Sequence, residues 1–290
     1  MTLFNQETQA LLSAFLLELA SGDANIDRNR AFKKKVADPA YNGPVIVAEG
    51  DSWFCYPQPS ELTLPVLSAA PKDILLALNQ EFAIFTQAEP GDTALGMIQT
   101  LETPQGLLGV ILNRKPDVFL MSAGGNDLLG DGRLDRYLLK GPKRKVADYF
   151  GAAFQRLFDD TLRRYTKVLE VVLTARPQVK AVLHSYSYAV VTGPGRGPWL
   201  YEPMTRLGIP PEHRNAVVQE IVDRFHAALV KLAKQLNAKS AEGPRVFLAD
   251  TRKAVGPGEW FDELHPSTAG FAKVAGIIRQ EILRAFPLVV

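Results

Sequence analysis

Four short segments of the chain concentrate residues able to do chemistry: Gly50-Asp51-Ser52-Trp53, Glu89-Pro90-Gly91-Asp92-Thr93, Gly124-Gly125-Asn126-Asp127 and Asp262-Glu263-Leu264-His265-Pro266. A serine hydroxyl is a poor nucleophile until an imidazole within hydrogen-bond reach takes its proton, and the imidazole needs a carboxylate to fix its tautomer. Across these segments the order Ser, Asp, His provides all three groups. A developing oxyanion needs preorganised donors, and the backbone N–H groups of Ser52 and Gly91 with the side-chain amide of Asn126 would supply three. Asp262 and His265 stand three residues apart on a turn that Pro266 ends, because a residue before proline is pushed out of the helical region. Such a turn can aim both side chains at one site.

Something must hold these segments together, and the pattern of apolar residues predicts what. Five short apolar runs, at Val45–Ala48, Phe82–Phe85, Val118–Met121, Val179–Leu183 and Val246–Leu248, are interrupted only by Lys180. Runs so short and continuous suit strands buried on both faces, as in a parallel sheet. Between them lie helical stripes, the clearest being Val217, Ile221, Phe225, Leu229, Leu232 and Leu236 on a helix from about Glu212 to Asn237. Another follows Pro266 and Ser267, with Phe271, Val274, Ile278 and Ile282 inward. Alternating strands and helices predict an α/β fold: a three-layer, doubly wound domain on a five-stranded parallel sheet. Residues 1–42 read as an N-terminal helical extension. Residues 43–290 read as one domain, with a turn-rich insertion around 185–211. In such sheets ligands bind beyond the carboxyl ends of the strands. The first three chemical segments follow the first three strands, and the fourth precedes the last helix.

Together and in this order, the four segments resemble the sequence blocks of the SGNH (GDSL) hydrolase superfamily, in outline from Val45 to Phe286. Gly50-Asp51-Ser52 looks like the first block, with Trp53 where the family often has Leu. Gly91 resembles the second block, Gly124-x-Asn126-Asp127 the third, and Asp262-x-x-His265-Pro266 the fifth. The resemblance implies a flavodoxin-like SGNH hydrolase fold, with Ser52 as nucleophile, His265 as base and Asp262 as its orienting carboxylate. It implies Gly91 and Asn126 as oxyanion donors, and neither a metal nor an organic cofactor. The activity implied is a serine esterase or lipase that cleaves carboxylic esters through an acyl-enzyme. An acyltransferase using the same triad, with an alcohol replacing water, is the nearest rival. A non-catalytic carbohydrate- or protein-binding module is the rival of another class, yet a binder would need none of Ser52, Asp262 and His265 together. Phe54 stands where the Gly-x-Ser-x-Gly elbow of α/β-hydrolases would have its second glycine, which argues against that fold.

Each candidate also has an ordinary reading. Gly91 after Pro90 suits a plain turn, Asn126 a loop, and Asp262 a carboxylate near the start of the last helix. His184 lacks a carboxylate close in sequence, so a structural or substrate-contacting role outweighs base catalysis. His213 and His226 fall at the start and inside of a long helix and read as surface or packing residues. Asp250 competes with Asp262 as the third triad member. Asp51 and Asp127 read as braces for the loops carrying Ser52 and Asn126, and Cys55 as a small apolar residue. Tyr186, Tyr188, Trp199 and Tyr201 lie among glycines and prolines in a loop that either walls the site or is anchored by its own aromatics. Trp53, His184, Tyr186 and Trp199 are the expected substrate contacts.

Composition narrows the partners. Hydrophobic residues make up 47% of the 290-residue chain and charged residues 22%, ample for a large core. Thirty-three Lys and Arg against 31 Asp and Glu leave a net charge of +2, without the basic field of a nucleic-acid binder. The one cysteine excludes an internal disulfide and a multi-cysteine zinc site. No apolar run approaches the roughly 20 residues that span a bilayer. Ala10–Ala20 reads as an amphipathic helix rather than a signal-peptide core, since Glu7 precedes it and Glu18 interrupts it. The expectation is therefore a soluble protein, cytoplasmic or exported without a cleavable signal, acting on a small-molecule, lipid or carbohydrate ester. The basic run Lys140, Lys143, Arg144 and Lys145 reads as a solvated loop.

Overall fold

The computed structural model describes residues 25–57, 70–103, 105–130, 132–241 and 243–287, so the helix expected over Ala10–Ala20 lies outside the described residues. The apolar runs form β1 (Val45–Gly50), β2 (Ala83–Thr86), β3 (Val118–Ser122), β4 (Lys180–Ser185) and β5 (Val246–Asp250). All pair in parallel in the order β2-β1-β3-β4-β5. Register is set where apolar residues face apolar residues, as in Val47 opposite both Phe85 and Phe119. Asp117 anchors the entry of β1 by accepting the Val45 N–H at 2.9 Å. Lys180 occupies the half-buried first position of β4, which explains how a lysine fits an otherwise apolar run.

The described helices are α1 (residues 25–36), α2 (Ile74–Leu78), α3 (Ala94–Thr100), α4 (Leu107–Arg114), α5 (Leu134–Tyr137), α6 (Ala152–Ala175), α7 (Tyr201–Arg206), α8 (Pro211–Ala238) and α9 (Thr268–Ala285). Pro211 opens α8, a position where its missing N–H has no helical partner to lose. The predicted stripe is buried there from Val217 through Leu232, with Leu236 half-buried at the end. In α9 the Ser267 hydroxyl caps the first turn by accepting the Gly270 N–H, and Phe271, Val274, Ile278 and Ile282 are buried.

Neighbouring residues of β4 reveal the two covered faces. Ser185 Oγ lies 3.1 Å from His226 Nδ1 on α8, while His184 stacks on Trp53, whose ring packs edge-on against Phe271 of α9. Side chains alternate across a strand, so α8 and α9 cover opposite faces of the sheet. Among the described residues, no helix is long and apolar enough to cross a membrane.

Strand order reverses between β1 and β3, whose carboxyl ends carry Ser52 and Asn126. This is the switch point at which open α/β sheets bind ligands.

Candidate active site

Ser52 follows β1 in a tight turn. The Asp51 carbonyl accepts N–H groups from Phe54 at 3.0 Å and Cys55 at 2.9 Å, and the Asp51 N–H donates back to Ser122 of β3 at 3.1 Å. Gly50 is required here for space rather than for a special backbone angle. A Cβ at Gly50 would stand 2.8 Å from Ser122 Cβ and 2.9 Å from its carbonyl oxygen. The Asp51 side chain is buried beneath the turn, where its Oδ1 accepts from the Trp53 N–H at 3.0 Å and the Ser122 hydroxyl at 2.8 Å. Its other oxygen accepts from the Tyr186 hydroxyl. Burial pushes the Asp51 carboxyl pKa up, and the donors from Tyr186, Trp53 and Ser122 draw it back. The loop-bracing role expected of Asp51 thus reaches across three strands.

Ser52 Oγ lies 2.7 Å from His265 Nε2. On the other side of the ring, Nδ1 lies 2.9 and 2.8 Å from the two oxygens of Asp262. An Nδ1–H donating to the carboxylate leaves Nε2 as the acceptor facing Ser52. Asp262 is fixed in turn, because its Oδ1 accepts the backbone N–H groups of Leu264 and His265, each at 2.8 Å. The spacing of three residues works because the aspartate folds back on its own turn. Asp250 is turned away, bonded to Arg252 through both oxygens.

Asn126 opens a π-helical turn, Asn126–Gly130, directly after β3. Its Nδ2 donates one hydrogen to the Asp92 carbonyl at 2.8 Å, and Asp127 accepts the Ala94 N–H at 2.9 Å. These two bonds tie the loop after β2 to the loop after β3. Gly91 sits on the former with φ +80°, a conformation that favours glycine, and lies outside the lining of the cleft at Ser52. That cleft, about 30 Å³, is lined by Ser52, Trp53, Asn126, Leu129, Tyr186 and His265 among others. A larger cleft of about 760 Å³ opens near Lys167, Leu236 and Arg245, by the amino end of β5, and none of the four chemical segments borders it.

Four residues expected at the site differ in position from the sequence reading. His184 does not reach the rim: it is buried against Trp53, Phe54 and Tyr186. The reason is strand alternation, which turns it inward from the end of β4. Burial drives its pKa down to about 3, so it is neutral at ordinary pH. Tyr188 and Tyr201 do not line the cleft either, for Tyr188 donates to Asp223 at 2.7 Å and the Arg214 guanidinium sits 4.8 Å over the Tyr201 ring. Trp199 also lies outside that lining, but its ring makes a T-shaped contact with the His265 ring at 5.7 Å, as Tyr56 does at 4.9 Å.

Two groups near the site went unread in the sequence. Glu263, beside Asp262, is buried and accepts three backbone N–H groups. Arg28 of α1 forms a buried ion pair with Asp73 and donates to the Phe54 carbonyl just beyond Ser52. Glu263 looks like one more polar residue in a polar turn, and the partners of Arg28 are distant in sequence. Neither carries a local signal.

A model of the family described as GDSL-like lipase/acylhydrolase matches residues 66–278. That span includes Gly91, Asn126, Asp262 and His265 and begins after Ser52, so the case for Ser52 rests on geometry. No curated protein matches the chain. Among solved structures, phospholipase A1 from Streptomyces albidoflavus is similar at 14% identity over 82% of this chain and 99% of that one, with a TM-score of 0.51. An extracellular lipase from Streptomyces rimosus gives 14% identity, coverage of 81% and 98%, and a TM-score of 0.49. A family 3 carbohydrate esterase from Clostridium thermocellum gives 15%, 84% and 98%, and 0.48. The phospholipase likeness extends to the fold.

Proposed function

Because the chain belongs to the GDSL-like lipase/acylhydrolase family and is a serine hydrolase of carboxylic esters, we propose that Ser52, His265 and Asp262 carry its reaction, with Ser52, Gly91 and Asn126 holding the oxyanion. One observation carries the reading: the unbroken line of hydrogen bonds from Ser52 Oγ through the His265 ring to Asp262.

Ser52 Oγ attacks the ester carbonyl carbon as its proton passes to His265 Nε2. The imidazolium that forms is stabilised by Asp262. The negative charge on the former carbonyl oxygen is met by the Ser52 N–H, by the second amide hydrogen of Asn126, the first being bound to Asp92, and by the N–H of Gly91, which adjoins Asp92 at the edge of the cleft. Nε2 returns the proton to the departing alkoxide, leaving an acyl-enzyme. Water then loses a proton to Nε2 and attacks the acyl carbon, and the Ser52 Oγ–carbon bond breaks as Nε2 returns that proton to Oγ, releasing the acid. The narrow cleft at Ser52, walled by Trp53, Leu129 and Tyr186, favours a short acyl chain.

The test is steady-state hydrolysis of nitrophenyl acetate and octanoate. The acetate should be preferred. Asn126→Ala should lower kcat by about 10²–10³ with little change in KM, because its hydrogen bond strengthens only as charge develops. Asp262→Asn should lower kcat by about 10⁴ through the wrong tautomer of His265. A rise in KM alone for Asn126→Ala would make Asn126 a ground-state contact, and near-native turnover by Asp262→Asn would remove Asp262 from the triad.

A further inference from the structure

Adjacent carboxylates in the turn Asp262–His265 point to different tasks. Asp262 holds the histidine, whereas Glu263 is fully buried on the other side of the turn. Glu263 Oε2 accepts the N–H groups of Trp199 and Leu200, both at 2.9 Å, and Oε1 accepts that of Tyr201 at 2.7 Å. The attachment is double, since the Glu263 N–H donates to the Arg196 carbonyl at 3.2 Å and the Arg196 guanidinium donates to the Trp260 carbonyl at 2.8 Å. Residues 196–201 are therefore sewn along residues 260–263.

The segment so held presents one large, half-buried side chain to the triad, Trp199, edge-on to the His265 ring. Space for that indole comes from Gly197, at φ +149°, where a Cβ would stand 2.3 Å from the Trp199 ring. In ester cleavage the histidine returns its proton to the leaving alcohol, so a group packed beside the histidine meets the alcohol half of the substrate. Aromatic faces hold flat or apolar groups well.

We infer that Glu263 is a positioning residue for substrate selection: it fixes Trp199 beside His265 as a wall for the alcohol portion of the ester, favouring esters of aromatic or ring-bearing alcohols. The inference rests on the triad reading above. A buried carboxylate is costly unless its charge is met by donors, and three consecutive backbone N–H groups meet it here. An anchor serving stability alone would act on every substrate equally. A wall for the alcohol acts on KM for bulky alcohols and spares small ones.

The experiment compares ethyl acetate with 2-naphthyl acetate, which share an acyl group, using wild type, Trp199→Ala, Glu263→Gln and the double variant. Trp199→Ala should raise KM for the naphthyl ester about tenfold and change ethyl acetate less than about twofold. Glu263→Gln retains one acceptor oxygen and should shift the naphthyl KM in the same direction by a smaller factor. The double variant should be no worse than Trp199→Ala, because residues acting through one another are not additive. Additive effects, or equal losses on both esters, would overturn the inference. Should Glu263→Gln fail to fold, Gly197→Ala displaces the same indole and should reproduce the naphthyl-specific rise in KM; its absence would be equally fatal. Failure of the triad reading is distinguishable, because then Ser52→Ala would still hydrolyse ethyl acetate.

Discussion

The indole N–H of Trp53 donates to the backbone carbonyl of Leu264 at 3.1 Å. Each partner is the chain neighbour of a residue of the proposed triad, so this one bond ties the Ser52 turn to the His265 turn across the site. Trp53→Phe keeps most of the packing and deletes the donor. A neutral hydrogen bond contributes about 1 kcal/mol, and the serine-histidine distance is sensitive to small displacements. The variant should therefore lose about tenfold in kcat, measured by nitrophenyl acetate hydrolysis. Wild-type turnover would show that the two turns are held by other contacts.

The ion pair between Arg28 and Asp73 is almost wholly shielded from water, with side-chain exposures of 3% and 0%. Asp73 also accepts the N–H groups of Tyr56 and Leu76, each at 3.0 Å, so it joins α1, the nucleophile turn and α2. Asp73→Ala strands the guanidinium in the interior, and breaking such a pair costs about 3–5 kcal/mol. Thermal unfolding should shift down by about 10 °C. A shift within about 1 °C would mean that water reaches Arg28 once its partner is gone.

Strands buried on both faces must be nearly all apolar, so β1 to β5 were legible in the sequence, and the polar residues that end β1 and β3 marked the catalytic edge. The Asp262 and His265 pair was legible because its geometry is local. Glu263 was not, because which way neighbouring side chains point in an irregular turn depends on what packs behind them. His184 counts as a candidate substrate contact in the sequence because its place at the end of a strand is visible there and the face it takes is not. The constraint on Gly50 is the close approach of β3, a contact between distant parts of the chain that has no local signal.

Asp92 gives stability a pH dependence of known sign. Burial raises its pKa to about 7, and the charges of Asp51, Glu89 and Asp127 add to the rise, against a partial offset from the Thr93 N–H. The folded protein thus keeps a proton that the unfolded chain releases near pH 4. Between about pH 4 and 7 the folded state binds more protons, so this contribution is present at low pH and is lost as pH rises through 7. Asp92→Asn keeps an oxygen for the Thr93 N–H and cannot ionise. Its stability relative to wild type should grow by about 1–3 kcal/mol from pH 4 to 7.5 and then level off, as followed by urea unfolding across pH. A difference that stays constant with pH would show that Asp92 ionises normally.

Covalent capture identifies the nucleophile, which is expected to be Ser52. A fluorophosphonate reacts with an activated serine and stops at the stable adduct. Intact-mass measurement followed by peptide mapping should find one adduct per wild-type chain, on Ser52, and none on Ser52→Ala. An adduct that persists in Ser52→Ala, or that maps in wild type to another serine, would contradict the account and move the active site elsewhere.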